Sequence, residues 1–449
     1  MAITSNDILL TLRDGAASAP EVAARLRVDG STISRHLQKL GEQVLPVGRG
    51  RARRYYARRS VADESAVPLY RITREGECQH FAVLYPVYPQ EHFVVEYHRS
   101  ATEVEWREYD ALPWWLSDMR PQGFLGRQLA ERLVAKGLHV STDPREWSEN
   151  DVLTVLITEP QDAVGNLLIG QQAYTRWLEG PTSRDLNPTQ VAEQAEQVAA
   201  GAHFDSSAKG EQPKLVAVVE GLPSIVKFSG RAGGPQAVNV VAQRWADLLR
   251  CEAHAAVAMN TVQAGFAADN RSYSVDQRTF LQSVRFDRFV TDSERYGRAG
   301  VVSFACLDLE FVGDARLAWP SLAQRLFAQN VISERAMVGT AVAWAFGQLI
   351  GNSDMHHGNL SVYHEGARPY ELTPVYDMLP MHFAPTAAGD MRDTVWTPRT
   401  DACVRTVHWQ TAAAMADVFW QHVAADELIS AEFRALMAAQ RSLARTDDE

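Results

Sequence analysis

The sequence predicts an α+β chain of two lobes behind a small basic helical module, and three observations predict it. An uncharged, mostly apolar run from Ala336 to Ile350 delivers a polar loop, Gly351 to Asn359, in which four residues separate Asp354 from Asn359. Ahead of that run lie strand-like segments, one of them interrupted by Lys227, and behind it the pattern is mainly helical. Residues 1–60 hold eleven Lys or Arg against five acids, a surplus of six, while the whole chain carries −11 and the remainder therefore −17. A basic module on an acidic body points to nucleic-acid contact through the module alone.

A chain of 449 residues is long enough for two or three domains, and 46% hydrophobic with 22% charged residues is a soluble globular composition. No N-terminal signal pattern is visible, and the Ala336–Ile350 run falls short of a membrane span. Cys78, Cys251, Cys306 and Cys403 are isolated and show no metal-ligand spacing. The expectation is a cytoplasmic protein with reduced thiols, nucleoid-associated when its module holds DNA.

In the module, Asn6 to Leu12 reads as a first helix. Ser18-Ala19-Pro20-Glu21 has capping-box spacing and opens a second helix through Leu26. Val28-Asp29-Gly30 is a turn, Ser31 or Thr32 the expected cap, and Ile33 to Leu40 a third helix that stops at Gly41. Leu26, Val28, Ile33, Leu37 and Leu40 supply the packed faces, leaving Ser31, Thr32, Ser34, Arg35, His36 and Lys39 outward. Gln43–Val47 and Arg53–Ala57 read as strands around Gly48-Arg49-Gly50-Arg51. Together these make a winged helix-turn-helix DNA-binding domain over residues 1–60. Thr32, Ser34, Arg35, His36 and Lys39 would face the major groove, with Arg49 and Arg51 on the wing.

Val61 to Ala66 reads as a linker, and residues 70–195 as a subdomain with strands at Phe81–Tyr85, Phe93–Tyr97 and Val152–Ile157 and a helix from Phe124 to Lys136. Trp114 and Trp115 read as core anchors. Leu178 to Ala200 is a helical connection.

Residues 196–290 read as a nucleotide-binding lobe. Ser206 to Lys214 is a loop of small and polar residues before the strand Leu215–Val219; its backbone N–H groups suit phosphate oxygens, although an ordinary hairpin fits as well. Ser224–Phe228 places Lys227 among apolar neighbours, as a phosphate-pairing lysine requires, while an edge strand would turn it outward. On the long helix Ala237–Ala258, Glu252 and Asp247 compete as its partner. Leu281–Phe289 is a strand entering a hinge, where an adenine would meet backbone groups.

Residues 291–449 form the helical lobe, with helices at Leu322–Phe327, Glu334–Ile350, Ala412–Ala425 and Ala431–Ala444. A carboxylate, Asp354, must accept a hydroxyl proton; the amide Asn359 and the later carboxylate Asp377 can hold magnesium on phosphates. A β-rich half with a lysine before a helical half with Asp-x4-Asn is the order of a bilobal kinase. Two rivals remain: a metal-dependent nuclease built on His356, His357 and His364, and a DNA-binding transcriptional regulator with a silent kinase-like sensor.

Asn352-Ser353-Asp354-Met355-His356-His357-Gly358-Asn359 with Leu372-Thr373-Pro374-Val375-Tyr376-Asp377 resembles the HipA-like serine/threonine kinase toxins of type II toxin–antitoxin systems. Ser207 to Lys214, Ile225-Val226-Lys227 and Arg285-Phe286-Asp287-Arg288 follow in that family's order, and the winged helix in front resembles its YjjJ-type branch. The resemblance implies an ATP- and magnesium-dependent serine/threonine protein kinase able to autophosphorylate. It implies Asp354 as catalytic base, Asn359 and Asp377 on the metal, and Lys227 on the phosphates. Ser207 would be the self-modified serine of a phosphate loop that includes Gly210, and Lys214 and His357 match further cofactor-side positions. The implied partners are DNA, a protein substrate (an aminoacyl-tRNA synthetase for the best-known members), and a separate antitoxin or a second copy. Val284 stands where the family often has a hinge glutamate.

Overall fold

In a computed structural model the described residues are 3–446, apart from 101, 160–161, 181–183, 202–211, 234–238, 292–294 and 387. They divide into two compact units, Met1–Pro121 with Ala130–Pro181 and Ser293–Gly297, and Gln122–Leu129 with Thr182–Asp292 and Arg298–Glu449.

The first unit begins with α1 (Ser5–Arg13), α2 (Ala19–Leu26) and α3 (Gly30–Leu40). Capping boxes set the first two: Thr4 with Asp7, and Ser18 with Glu21, each satisfying two orphan N–H groups. Helix α3 starts earlier than the sequence suggests. Asp29 is its N-cap without a side-chain bond, so Ser31 and Thr32 lie in the first turn rather than capping it. Ile8, Leu12, Val22, Ile33, Leu37 and Leu40 form the module's core. The ribbon β1 (Val44–Val47) and β2 (Arg54–Ala57) follows, in antiparallel register with Leu45 opposite Tyr56.

No loose linker follows β2. Arg59 N–H donates to Pro86 O and Tyr88 N–H to Ala57 O, so the ribbon's second strand runs on against the next sheet. Val61 and Glu64 close a tight turn through reciprocal backbone bonds. That sheet consists of β3 (Val67–Ile72), β4 (Cys78–Val87), β5 (His92–His98), β6 (Val104–Tyr109) and, after α4 (Gly123–Ala135) and α5 (Glu149–Thr158), β7 (Leu167–Ile169). Its order is β6-β5-β4-β3-β7. Leu45, Tyr56, Val87 and Val94 share one buried cluster, which joins the ribbon to the sheet. The strand expected at Val152–Ile157 is helix α5 instead. Ser148 and Asp151 form a capping box in front of an apolar run whose periodicity does not separate strand from buried helix. Helix α6 (Gly170–Glu179) completes the unit, and Trp114 and Trp115 are buried as expected.

The second unit opens with β8 (Asp185–Leu186) and α7 (Pro188–Gly201), so the expected helical connection contains a short strand. Next come β9 (Lys214–Val219), β10 (Leu222–Phe228), α8 (Val240–Val262), β11 (Asn270–Val275) and β12 (Arg278–Val284). The sheet order is β11-β12-β10-β9-β8. Helix α8 packs Leu249 and Ala253 against Leu281 of β12. The remainder is mainly helical, with α9 (Phe304–Phe311), α10 (Trp319–Ala328), α11 (Glu334–Ile350), α12 (Thr406–Ala425) and α13 (Ala431–Thr446), and it includes a short antiparallel ribbon of Val301–Ser303 with Ser361–Tyr363. Helix α11 is buried from Thr340 to Ile350, which accounts for its lack of charge beyond the first turn. No helix among the described residues is long and apolar enough to cross a membrane.

Candidate active site

Helix α11 ends where the chemistry begins. Gly351 adopts a left-handed φ of 83° as its C-cap, and Asn352 N–H reaches back to Gly347 O at 2.8 Å. This turn buries Asn352, whose Oδ1 accepts from Asp354 N–H at 3.0 Å. Asn359 Nδ2 donates to Asp354 O at 2.9 Å, so the two ends of the Asp-x4-Asn loop are tied directly. His356 Nδ1 accepts from Gly358 N–H, and its carbonyl accepts from Trp319 Nε1 at 3.0 Å. His357 is buried; its Nε2 donates to Leu317 O at 2.8 Å and its Nδ1 lies 3.6 Å from Asp308 Oδ2. Both ring nitrogens of His357, expected on the cofactor side, face protein acceptors and anchor the loop.

Asp377 reaches this loop from a neighbouring segment. Val375 exchanges backbone bonds with the segment after α8, donating to Phe266 O at 2.8 Å and accepting from Ala268 N–H at 2.9 Å. Tyr376 Oη donates to Gly358 O at 3.0 Å and lies 2.7 Å from Ser361 Oγ, linking the Asp377 segment to the Asp354 loop. Asp377 itself sits at φ 55°, a strained conformation for a residue with a Cβ, held by its neighbours. Beneath both segments is Gly347, which sequence reasoning passed over. A Cβ there would lie 3.2 Å from Met378 Sδ and closer still to Met355 Sδ. The only sequence signal was a glycine inside an otherwise apolar helical run.

Lys227 is the meeting point. Its Nζ lies 2.8 and 2.9 Å from the two carboxylate oxygens of Glu252 and 2.5 Å from Asp377 Oδ1. The choice left open between Glu252 and Asp247 resolves to Glu252, since Asp247 is bound to Ser430 instead. Lys214 stands opposite Lys227 in the β9–β10 register, on the same face. Two like charges there repel, and the acids between the lobes offset this. Exposure is graded: the Glu252 side chain is 2% exposed, Lys227 13% and Asp377 32%. The cluster is thus more open at Asp377 than at Glu252.

The electrostatics follow from this packing. Burial pushes the Lys227 ammonium down, and Asp377 and Glu252 more than reverse it, so the lysine stays charged. Burial raises the Asp377 carboxyl but Lys227 outweighs it, holding it below the ordinary value. Burial keeps Glu252 above the ordinary carboxylate value even beside Lys227. Asp354 is also raised, by burial first and by Asp377, tempered by His356 and Lys227.

Ser207 and Gly210 lie outside the described residues. Of the hinge motif, Arg285 makes a bidentate pair with Asp287 at 2.9 Å and Arg288 joins the same carboxylate, all three buried. In the module, Ser34, Arg35, Lys39, Arg49 and Arg51 are exposed, as is Gln38, which sequence reasoning did not single out. Thr32 is partly covered. His36 is partly covered as well, with its Nδ1 3.0 Å from Ser5 Oγ of α1.

Residues 63–178 match the family described as YjjJ-like toxin, middle domain, and residues 206–441 the HipA-like C-terminal domain. Toxin YjjJ of Escherichia coli (strain K12) is 37% identical over 439 residues, 95% of this chain and 94% of that protein. A chain of the Shewanella oneidensis MR-1 complex of HipA, HipB and operator DNA superposes with a TM-score of 0.48 at 17% identity, over 84% of this chain and 97% of that one. The Helicobacter pylori proinflammatory kinase CtkA gives 0.36 at 11%, over 53% and 88%. With more than half of its length in the HipA-like C-terminal domain and nearly all of it aligned to a YjjJ toxin, the chain belongs to the YjjJ-like toxins of the HipA-like family, and its fold is α+β.

Proposed function

We propose that this protein is an ATP- and magnesium-dependent serine/threonine protein kinase whose N-terminal module binds DNA. One observation carries the reading: a buried lysine held between a buried glutamate and a more open aspartate, beside an Asp-x4-Asn loop. The donor chemistry fits the implied groups. Magnesium takes one or two carboxylates with phosphate oxygens rather than a full protein cage. Asp377 and Asn359 are such a set, while no three His, Cys, Asp or Glu among the described residues form a metal-holding group. When bound, the metal would neutralise charge on the transferring phosphate.

The chain's own residues do the rest. Glu252 orients Lys227, which would pair with phosphate oxygens, and Asp377 would hold the metal. Asp354 takes the proton of the attacking hydroxyl, and its raised affinity for a proton suits a general base. Tyr376 keeps the two acidic segments in register. Self-phosphorylation at Ser207, a protein substrate, and an antitoxin or second copy as partner belong to the same reading. The histidines of the nuclease alternative go three ways: to Gly358, to Leu317, and, for His364, to the ring of Tyr370. For the module, exposed Arg35, Lys39, Arg49 and Arg51 beside polar Ser34 and Gln38 support groove contact. Transfer of labelled γ-phosphate from ATP to protein, dependent on Asp354, tests the enzyme. A DNA-shift assay with Arg35→Ala/Lys39→Ala tests the module.

A further inference from the structure

The turn between α12 and α13 grips α8 from the side away from Lys227. Within five residues it presents Asp426 to His254 at 2.9 Å and to Arg250 at 3.7 Å, and Ser430 to Asp247. Asp247 is 1% exposed, and its carboxylate accepts from Ser430 N–H at 2.9 Å, Ser430 Oγ–H at 2.6 Å and Gln243 Nε2 at 3.0 Å. Arg434 braces the turn by donating to Asp426 O and Ile429 O at 2.9 and 3.0 Å. A buried carboxylate is costly, and burying an apolar side chain would hold two helices together at less expense. What directional bonds add is a fixed rotation of the helix about its axis. Glu252 stands five residues beyond Asp247, so any roll of α8 swings its carboxylate across the position of Lys227 Nζ.

We propose that Ser430 is a positioning residue: by binding Asp247 it sets the roll of α8 and so holds Glu252 on Lys227. The inference deepens the kinase reading, but its first test needs no nucleotide. In the full chain, the rate at which an N-hydroxysuccinimide ester acylates Lys227 is measured by mass spectrometry, with exposed Lys39 as internal reference. Ser430→Ala keeps the backbone N–H and Gln243 bonds to Asp247 and loses the two bonds of the hydroxyl, the one to Asp247 and the one it accepts from Phe433 N–H at 3.3 Å in the first turn of α13. Loss of one hydrogen bond to a buried charge raises Lys227 acylation about tenfold relative to Lys39. Ser430→Thr, which retains the hydroxyl, restores the wild-type rate. In the phosphate-transfer assay Ser430→Ala lowers kcat about tenfold with KM for ATP within about twofold. Unchanged Lys227 acylation in Ser430→Ala, or equal acceleration at Lys39, overturns the proposal. A wild-type protein that transfers no phosphate while Lys227 still responds as stated removes the kinase reading and leaves the α8 grip standing.

Discussion

Replacing Lys227 by methionine puts the central cluster under the most informative stress. The side chain keeps its length and loses its charge, which leaves Glu252 and Asp377 facing each other. Removing one partner of a buried ion pair costs about 3–5 kcal/mol. The larger share falls on Glu252, because that side chain is 2% exposed against 32% for Asp377. The pH dependence has a definite sign. Lys227 lowers the proton affinity of both carboxyls, so its removal raises both. A carboxyl whose folded value lies above its unfolded one contributes stability that is complete below the unfolded value and lost as pH rises through the folded one. The deficit of Lys227→Met relative to wild type is therefore largest near neutrality and shrinks as pH falls. Urea unfolding of both proteins at about pH 5 and about pH 7.5 reads this as a difference in midpoints. An equal deficit at the two pH values would refute the reasoning, since Lys227 would then contribute packing rather than charge.

Four further outcomes follow. The acid limb of the phosphate-transfer rate lies above the ordinary aspartate value of 3.8, because burial raises Asp354; a limb at or below it excludes Asp354 as the base. Tyr376→Phe removes the bonds to Gly358 and Ser361, costing about 1–2 kcal/mol in unfolding free energy and slowing transfer, whereas unchanged values in both mean the hydroxyl ties nothing. Gly347→Val displaces Met355 and Met378 together, so transfer falls by more than stability does; a fully active, equally stable variant contradicts the seat assigned to that glycine. Arg35→Ala/Lys39→Ala weakens DNA binding and flattens its log–log salt dependence by about two, and an unaltered slope removes both from the phosphate contacts.

Much of the site was legible because its chemistry is local. The Asp-x4-Asn spacing, the Gly351 stop and a lysine inside an apolar strand each leave a mark within a few residues. What the sequence could not disclose depends on side chains meeting across large separations. Glu252 rather than Asp247 faces Lys227, and Asp247 is bound instead by a serine 183 residues beyond it. His357 meets the carbonyl of Leu317, forty residues away. At α5, apolar residues at consecutive positions gave no period, and the Ser148–Asp151 cap was the informative signal. The tie between the module and the middle sheet was also hidden. Residues 61–66 carry turn-like polarity, yet Arg59 bonds Val87 O and Asn150, and Tyr56 bonds Glu108. Deleting residues 1–60 would therefore uncover Val87 and Val94, and point substitutions on α3 are the cleaner test of DNA binding.

The proposed chemistry rests on Asp377 at Lys227 and on the Asp354–Asn359 loop tied to the Asp377 segment through Tyr376, and one measurement bears on it most directly. Purified full-length protein is incubated with ATP labelled in the γ-phosphate, with magnesium or with chelator, alongside Asp377→Asn and Asp354→Ala. The account predicts label on protein with wild type and magnesium alone, and none with chelator or with either variant. Label that persists in Asp377→Asn, or that ignores the chelator, would contradict it.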